Sequence, residues 1–319
     1  MFYGIRKLYR PEIYQGHRVR RRYFEGWYFK SVFSDTTLAV IPGISKAEDD
    51  PHAFVQVFDG AGMQYHRFPV DAFSAARDRF EVRVEENRFS LDGFSLELPD
   101  HKGSFSITGR SGWPSRLLQP GTMGWYSFVP FMECKHGILT MDAEVSGTLN
   151  GKKVAGRFYC EKDYGRSFPS AWIWMQSNSF AGVGRSVTCS VATIPFLGSE
   201  FAGFLAAILA DGTLYRFTTY NGSKLEEIVV DEEHVRVVLR RRKTRLVMEA
   251  VRAGGVDLLS PVDGMMTGRV NESLDASIHA RLEVAGEVVF DGTGSAAGLE
   301  VVDAAKLKSF LTADRRRRG

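Results

Sequence analysis

Cysteine is scarce in this 319-residue chain: there are three, Cys134, Cys160 and Cys189, odd in number and widely spaced. That excludes the disulfide framework of a small secreted domain and any C-x-x-C redox or metal pair. A surplus of charge of one sign is also missing. Lys plus Arg is 41 and Asp plus Glu is 38, a net of +3, whereas a nucleic-acid binder needs a strong basic footprint. The longest apolar run, Phe201 to Ala210, is about half of the ~20 residues that a bilayer-spanning helix needs. The opening residues, Met-Phe-Tyr-Gly-Ile-Arg-Lys, contain no export-type apolar stretch, so a soluble, cytoplasmic protein is expected. The seven histidines show neither H-x-x-x-H nor H-x-H spacing, which predicts no metal site. G-x-S-x-G, a P-loop and a G-x-G-x-x-G after a strand are all lacking, which argues against hydrolase, nucleotide and dinucleotide functions.

What is present is 44% apolar residues, 25% charged ones, 23 Phe and 32 Gly. This composition suits a folded chain of short strands and turns around a large apolar interior. Alternating strand patterns recur at Ala53–Phe58, Arg79–Val84, Phe94–Leu98, Ser104–Thr108, Gly137–Val145, Val154–Cys160, Ala171–Ser177 and Ser186–Val191. They continue at Phe204–Leu209, Thr213–Thr219, Val235–Leu239, Leu246–Ala250, Ala276–Leu282 and Glu287–Asp291. Asp59-Gly60, Asn150-Gly151, Asp211-Gly212, Asn221-Gly222 and Asp263-Gly264 supply turn signals. Helical periodicity is confined to Val70–Ala76 and Asp303–Thr312. The pattern predicts an all-β protein of antiparallel barrels or sandwiches. The length suits two units, 1–180 and 181–319, with a boundary near residue 180.

Three basic clusters punctuate the chain: Arg18 with Arg20–Arg22, Arg240–Lys243 with Arg245, and Arg315–Arg318. They read as solvated hairpin edges and a frayed tail. The alternative is peripheral attraction to an anionic membrane surface. Glu85, Glu86, Glu226, Glu227, Glu232 and Glu233 are expected in polar turns and read as surface.

Two segments stand out, Arg22-Tyr-Phe-Glu-Gly-Trp-Tyr-Phe-Lys30 and Gly156-Arg-Phe-Tyr-Cys-Glu-Lys-Asp-Tyr-Gly165. The second is followed by Phe168-Pro169, Trp172, Trp174, Gln176 and Asn178. With Gly124-Trp125-Tyr126, they resemble the tocopherol cyclase family and its pattern F-E-G-W-Y-F-K, G-W, Y-x-E-K-N-W-G-x-x-F-P and W-x-W-x-Q-x-N. The likeness reaches into Leu214–Gly222 and Leu259-Ser-Pro261. It departs at Asp163 and Tyr164, where the plant pattern has Asn and Trp. A weaker likeness extends to two-domain lipocalin-like carotenoid 1,2-hydratases.

The resemblance implies two lipocalin-like halves, a hydrophobic prenylated ligand, no cofactor, and addition of a phenol oxygen to a prenyl double bond. An isolated alkene is a poor base, so its protonation calls for a carboxylic acid held neutral by burial. Aromatic faces then stabilise the cation by ~0.5–2 kcal/mol each. Glu161 is the first candidate acid, Glu25 the second, with Asp163 beside them. Trp27, Tyr28, Lys30, Trp125, Tyr159, Lys162, Tyr164, Trp172, Trp174, Gln176 and Asn178 are the candidate binding residues.

Strand alternation sorts these by face. Glu25, Trp27 and Phe29 oppose Tyr28 and Lys30, and Tyr159, Glu161 and Asp163 oppose Cys160 and Lys162. Trp172, Trp174, Gln176 and Asn178 share one face, the mix of a mostly apolar pocket with a few orienting amides. The tryptophans equally suit an ordinary core, and the glutamates equally suit pairing with Lys30, Lys162 or arginines. A non-catalytic isoprenoid carrier and an alkene hydratase are the competing functions.

Overall fold

The computed structural model describes residues 7–116, 119–129, 132–196 and 198–318. Residues 1–6, on which the expectation about an export segment rests, lie outside these, as do the side chains of Arg315–Arg318. The alternating segments pair into two antiparallel sheets. In order of neighbours, the first runs Gly62–Phe68, His52–Asp59, Thr37–Ser45, Phe24–Phe33, Lys152–Gly165, Cys134–Leu149, Lys102–Ser111, Gly93–Glu97, Asn87–Ser90, Glu81–Val84 and Phe73–Ala75. The second runs Thr213–Thr218, Ser199–Ala210, Ser186–Phe196, Trp172–Ser177, Glu287–Val302, Met265–Val284, Thr244–Val251, His234–Arg241 and Lys224–Val230. Val256–Val262 pairs with Met265–Val284. The protein is all-β and lipocalin-like.

Period-two alternation is visible where one face meets the core, as in Glu81–Val84, where Val82 and Val84 are buried between exposed Glu81 and Arg83. Two-residue turns close the hairpins. Asn150-Gly151, Asp211-Gly212 and Asp263-Gly264 all have positive φ at both positions, the geometry that right-twisted strands require and that these residue types tolerate. The basic cluster around Arg240 lies on the hairpin of His234–Arg241 with Thr244–Val251. Arg240 and Arg236 pair there with Glu226 and Glu227. Those two glutamates, expected in a polar turn, are strand residues of Lys224–Val230.

The expected helix over Val70–Ala76 is a 3-10 turn, Val70–Ala72, followed by a strand, Phe73–Ala75. So short a segment gains little from isolated helix formation, while pairing of Phe73 with Val84 satisfies its backbone and places the ring on the core. The C-terminal helix spans Ala304–Arg318 and inserts Leu307 into the second core. Among the described residues no helix is long and apolar enough to cross a membrane.

The chain divides into two compact units. The first runs to Phe168 and takes back Leu258–Arg269, and the second holds Pro169–Asp257 and the chain from Val270 onward. Each has its own apolar core. The first is packed with rings: Phe94 stacks on Phe105 at 4.3 Å and meets Phe29 at 5.4 Å, and Phe29 meets Phe158 at 5.5 Å. The second is aliphatic, built from residues such as Ile173, Met175, Val187, Ile208, Leu246 and Ile278. This ring packing makes a clear prediction. Phe94→Ala should lower stability by about 3–5 kcal/mol in urea unfolding, the cost of emptying a packed aromatic site. A loss below about 1 kcal/mol would mean that the interior has the slack of a ligand-holding calyx.

Candidate active site

The site is built on one strand pair. Phe24–Phe33 lies antiparallel to Lys152–Gly165 with Trp27 opposite Lys162, Tyr28 opposite Glu161 and Lys30 opposite Tyr159. Directly opposed residues share a face, so this register sends the motif residues to two different places. Glu25, Trp27, Phe29, Cys160, Lys162 and Tyr164 lie on the core side. Tyr28, Lys30, Tyr159, Glu161 and Asp163 lie on the outer side.

On the core side, Lys162 and Glu25 form an ion pair with Nζ 2.5 Å from Oε1, both side chains fully buried. The ammonium also donates to Pro11 O at 2.8 Å and Ile13 O at 2.6 Å, and it sits over the rings of Trp27 and Tyr164 at 4.8 and 5.0 Å. Burial lowers the Lys162 pKa from its ordinary value, and the Glu25 charge opposes that shift. The Glu25 carboxylate accepts from Gln15 N at 2.8 Å, Gly16 N at 2.9 Å and the Tyr23 hydroxyl. Trp27 Nε1 donates to Glu12 O at 3.0 Å, and its ring stacks on Phe80. Glu25, Trp27 and Lys162 thus bind residues 11–16 across the end of the core. Surrounded by these donors and with no exposure, Glu25 is placed to accept hydrogen bonds rather than to meet a ligand.

The outer side is different. Tyr159 hydroxyl donates to Glu161 Oε2 at 2.5 Å, with both residues buried. His136, on the neighbouring strand Cys134–Leu149, lies opposite Asp163. Its Nδ1 is 3.0 Å from Asp163 Oδ1, and its Nε2 is 3.7 Å from Glu161 Oε2. The Cys134 thiol, whose pKa is raised by burial and by Asp163, donates to the same Asp163 oxygen at 3.6 Å. Tyr28, directly across from Glu161, has its ring 6.4 Å from Phe58, and Lys30 beside Tyr159 is fully buried.

His136 is the residue that sequence reasoning missed. It stands 27 positions from Asp163 and belongs to no motif; only the strand register brings it in. His136, Glu161 and Asp163 also offer donor atoms within 4.8 Å of one another, as a metal site would. Asp163 lies within hydrogen-bond distance of Nδ1, while Glu161 stands 3.7 Å from Nε2, beyond a direct hydrogen bond.

The remaining candidates lie elsewhere. Trp172, Trp174 and Gln176 belong to the second unit, on the face opposite Ile173 and Met175 of its core. Trp172 Nε1 donates to Glu300 Oε2 at 2.6 Å, and Gln176 Nε2 donates to Asn178 Oδ1 at 3.4 Å. Trp174 packs so closely on Gly298 that a Cβ there would lie 2.5 Å from the indole. All four are buried, although they face away from the core. Trp125 lies in the 3-10 turn Gly124–Phe128, 44% exposed and stacked on Tyr126 at 4.1 Å.

Residues 84–302 match a family model described as tocopherol cyclase-like. Over 175 residues, 45% of the chain, it is 26% identical to a probable chloroplastic tocopherol cyclase of Oryza sativa subsp. japonica, covering 37% of that protein. Over 253 residues, 67% of the chain, it is 24% identical to the chloroplastic tocopherol cyclase of Zea mays, covering 53% of it. The chain therefore spans about half the length of these relatives or less. Among solved structures, CghA aligns with a TM-score of 0.56 at 10% identity over 88% of each chain, a likeness of fold alone.

The buried ion pair leads to a stability prediction. Glu25→Gln and Lys162→Met should each cost about 3–5 kcal/mol, because either leaves a buried charge without its partner. The double variant should lose clearly less than the sum, as measured by chemical unfolding. Strict additivity would show that the two groups do not act as a pair.

Proposed function

The chain belongs to the tocopherol cyclase-like family, and from that premise we propose that it closes a chromanol ring on a prenylated hydroquinone, without a cofactor, using Glu161 as proton donor. The observation that carries this reading is the outer-side cluster. It is a buried carboxyl group hydrogen-bonded by the Tyr159 hydroxyl, on a face that the packed core leaves to other uses.

Protonating an isolated alkene demands an acid that keeps its proton at working pH, and desolvation is the general means by which a buried carboxyl does so. Transfer of the Glu161 proton to the prenyl double bond forms a C–H bond and leaves a tertiary cation. The phenol oxygen bonds to that carbon and gives up its own proton, so substrate and product are isomers. The ring faces of Tyr28 and Tyr159 suit a developing cation, worth ~0.5–2 kcal/mol each. In the second unit, the indoles of Trp172 and Trp174 and the amides of Gln176 and Asn178 form a further candidate ligand surface.

Glu161→Gln keeps shape and polarity but has no proton to release. It should bind prenyl hydroquinone nearly as well as wild type and form the chromanol ~10²–10⁴-fold more slowly, the usual contribution of general-acid catalysis. Chromatographic retention reads the product, because mass does not change on cyclisation. An equal rate in the variant would move the acid elsewhere, and a product heavier by one water would make the protein a hydratase. Separately, Trp174→Ala should weaken saturable quenching of tryptophan fluorescence by a prenyl quinone; unchanged affinity would return both indoles to a structural role.

A further inference from the structure

The proposed cyclisation leaves one proton unassigned. The phenol must lose its proton as the C–O bond forms, and Glu161 must regain one before the next turnover. Both needs converge on His136. Its Nδ1 lies 3.0 Å from Asp163 Oδ1, and a carboxylate oxygen is an acceptor only, so that nitrogen carries the hydrogen. The Cys134 thiol, which also donates to Asp163 Oδ1, keeps this carboxylate in the same accepting role. In the neutral ring the Nε2 lone pair is then directed toward Glu161 Oε2, 3.7 Å away. That distance exceeds a direct hydrogen bond and is short enough for one oxygen atom to bridge. The bridging oxygen can be a water, or the phenol of a substrate lying over the cluster.

We propose that His136, oriented by Asp163, is the base that takes the phenol proton and hands it back to Glu161. The inference rests on the cyclase reading. Each turnover balances: Glu161 gives a proton to the alkene carbon, the phenol O–H bond breaks as O–C forms, and His136 Nε2 takes that proton. The imidazolium then passes it to the Glu161 carboxylate, restoring both groups. His136 is the catalytic residue here and Asp163 its positioning residue.

Three measurements on the whole protein test this. His136→Ala should bind prenyl hydroquinone within about threefold of wild type and cyclise it ~10²-fold more slowly. Added imidazole should restore part of the rate, which a merely structural histidine would not allow. Asp163→Asn should slow cyclisation less, and ¹⁵N NMR should show His136 as the Nδ1–H tautomer in wild type and a mixture in that variant. A His136→Ala enzyme that cyclises at the wild-type rate, or a slow one that imidazole does not rescue, overturns the relay while the cyclase assignment stands. So does an Nε2–H tautomer in active wild type. Failure of the wild type to form any chromanol is a different result: it overturns the cyclase reading, and the relay with it.

Discussion

A lysine ammonium without exposure lies 2.5 Å from a glutamate without exposure, and the first unit is arranged around keeping that pair satisfied. Removing two charges from water costs several kcal/mol each, and their attraction offsets this only when the remaining donors and acceptors are filled. Here they are filled from one stretch of chain. Pro11 O and Ile13 O take the other ammonium hydrogens, while Gln15 N, Gly16 N and the Tyr23 hydroxyl supply the carboxylate. The pair therefore acts as a fastener, binding residues 11–16 over the end of an aromatic core.

The same strand register that creates the fastener creates the candidate active site. With Trp27 opposite Lys162, Tyr28 must stand opposite Glu161, and alternation carries that pair to the other side of the sheet. Two glutamates from adjoining strands thus meet opposite surroundings. Glu25 is met by an ammonium and backbone amides, the setting of an acceptor. Glu161 is met by the Tyr159 phenol and, at 3.7 Å, by the His136 imidazole. Paired carboxyl groups in contrasting environments are a recurrent way of dividing roles.

Packing places the chemistry as firmly as electrostatics does. Rings such as Phe29, Phe94, Phe105 and Phe158 pack the first core, and mostly aliphatic side chains pack the second. The faces turned away from these cores also carry buried polar residues, Glu161 and Tyr159 in one unit and Gln176 and Asn178 in the other.

How much of this was legible follows from which forces are local. Alternation and turn chemistry are local, so the strands, the Asn150-Gly151 and Asp211-Gly212 hairpins and the sorting of Glu161 from Lys162 could be read from the residues alone. Local propensity also misleads: Phe73–Ala75 looked helical, but pairing with the neighbouring strand Glu81–Val84 captured its backbone as the edge of the sheet. Strand partners are not local. Nothing near Glu25 in the sequence selects Lys162 over Lys30, and nothing near Asp163 announces His136, because both choices depend on register, and a slip of one residue would reverse every face. The sequence by itself determined an all-β chain and which motif residues travel together. Only the tertiary structure decided which carboxylate is bound into the core and which stands beside Tyr159 and His136 on the other face, since that depends on long-range pairing across the sheet.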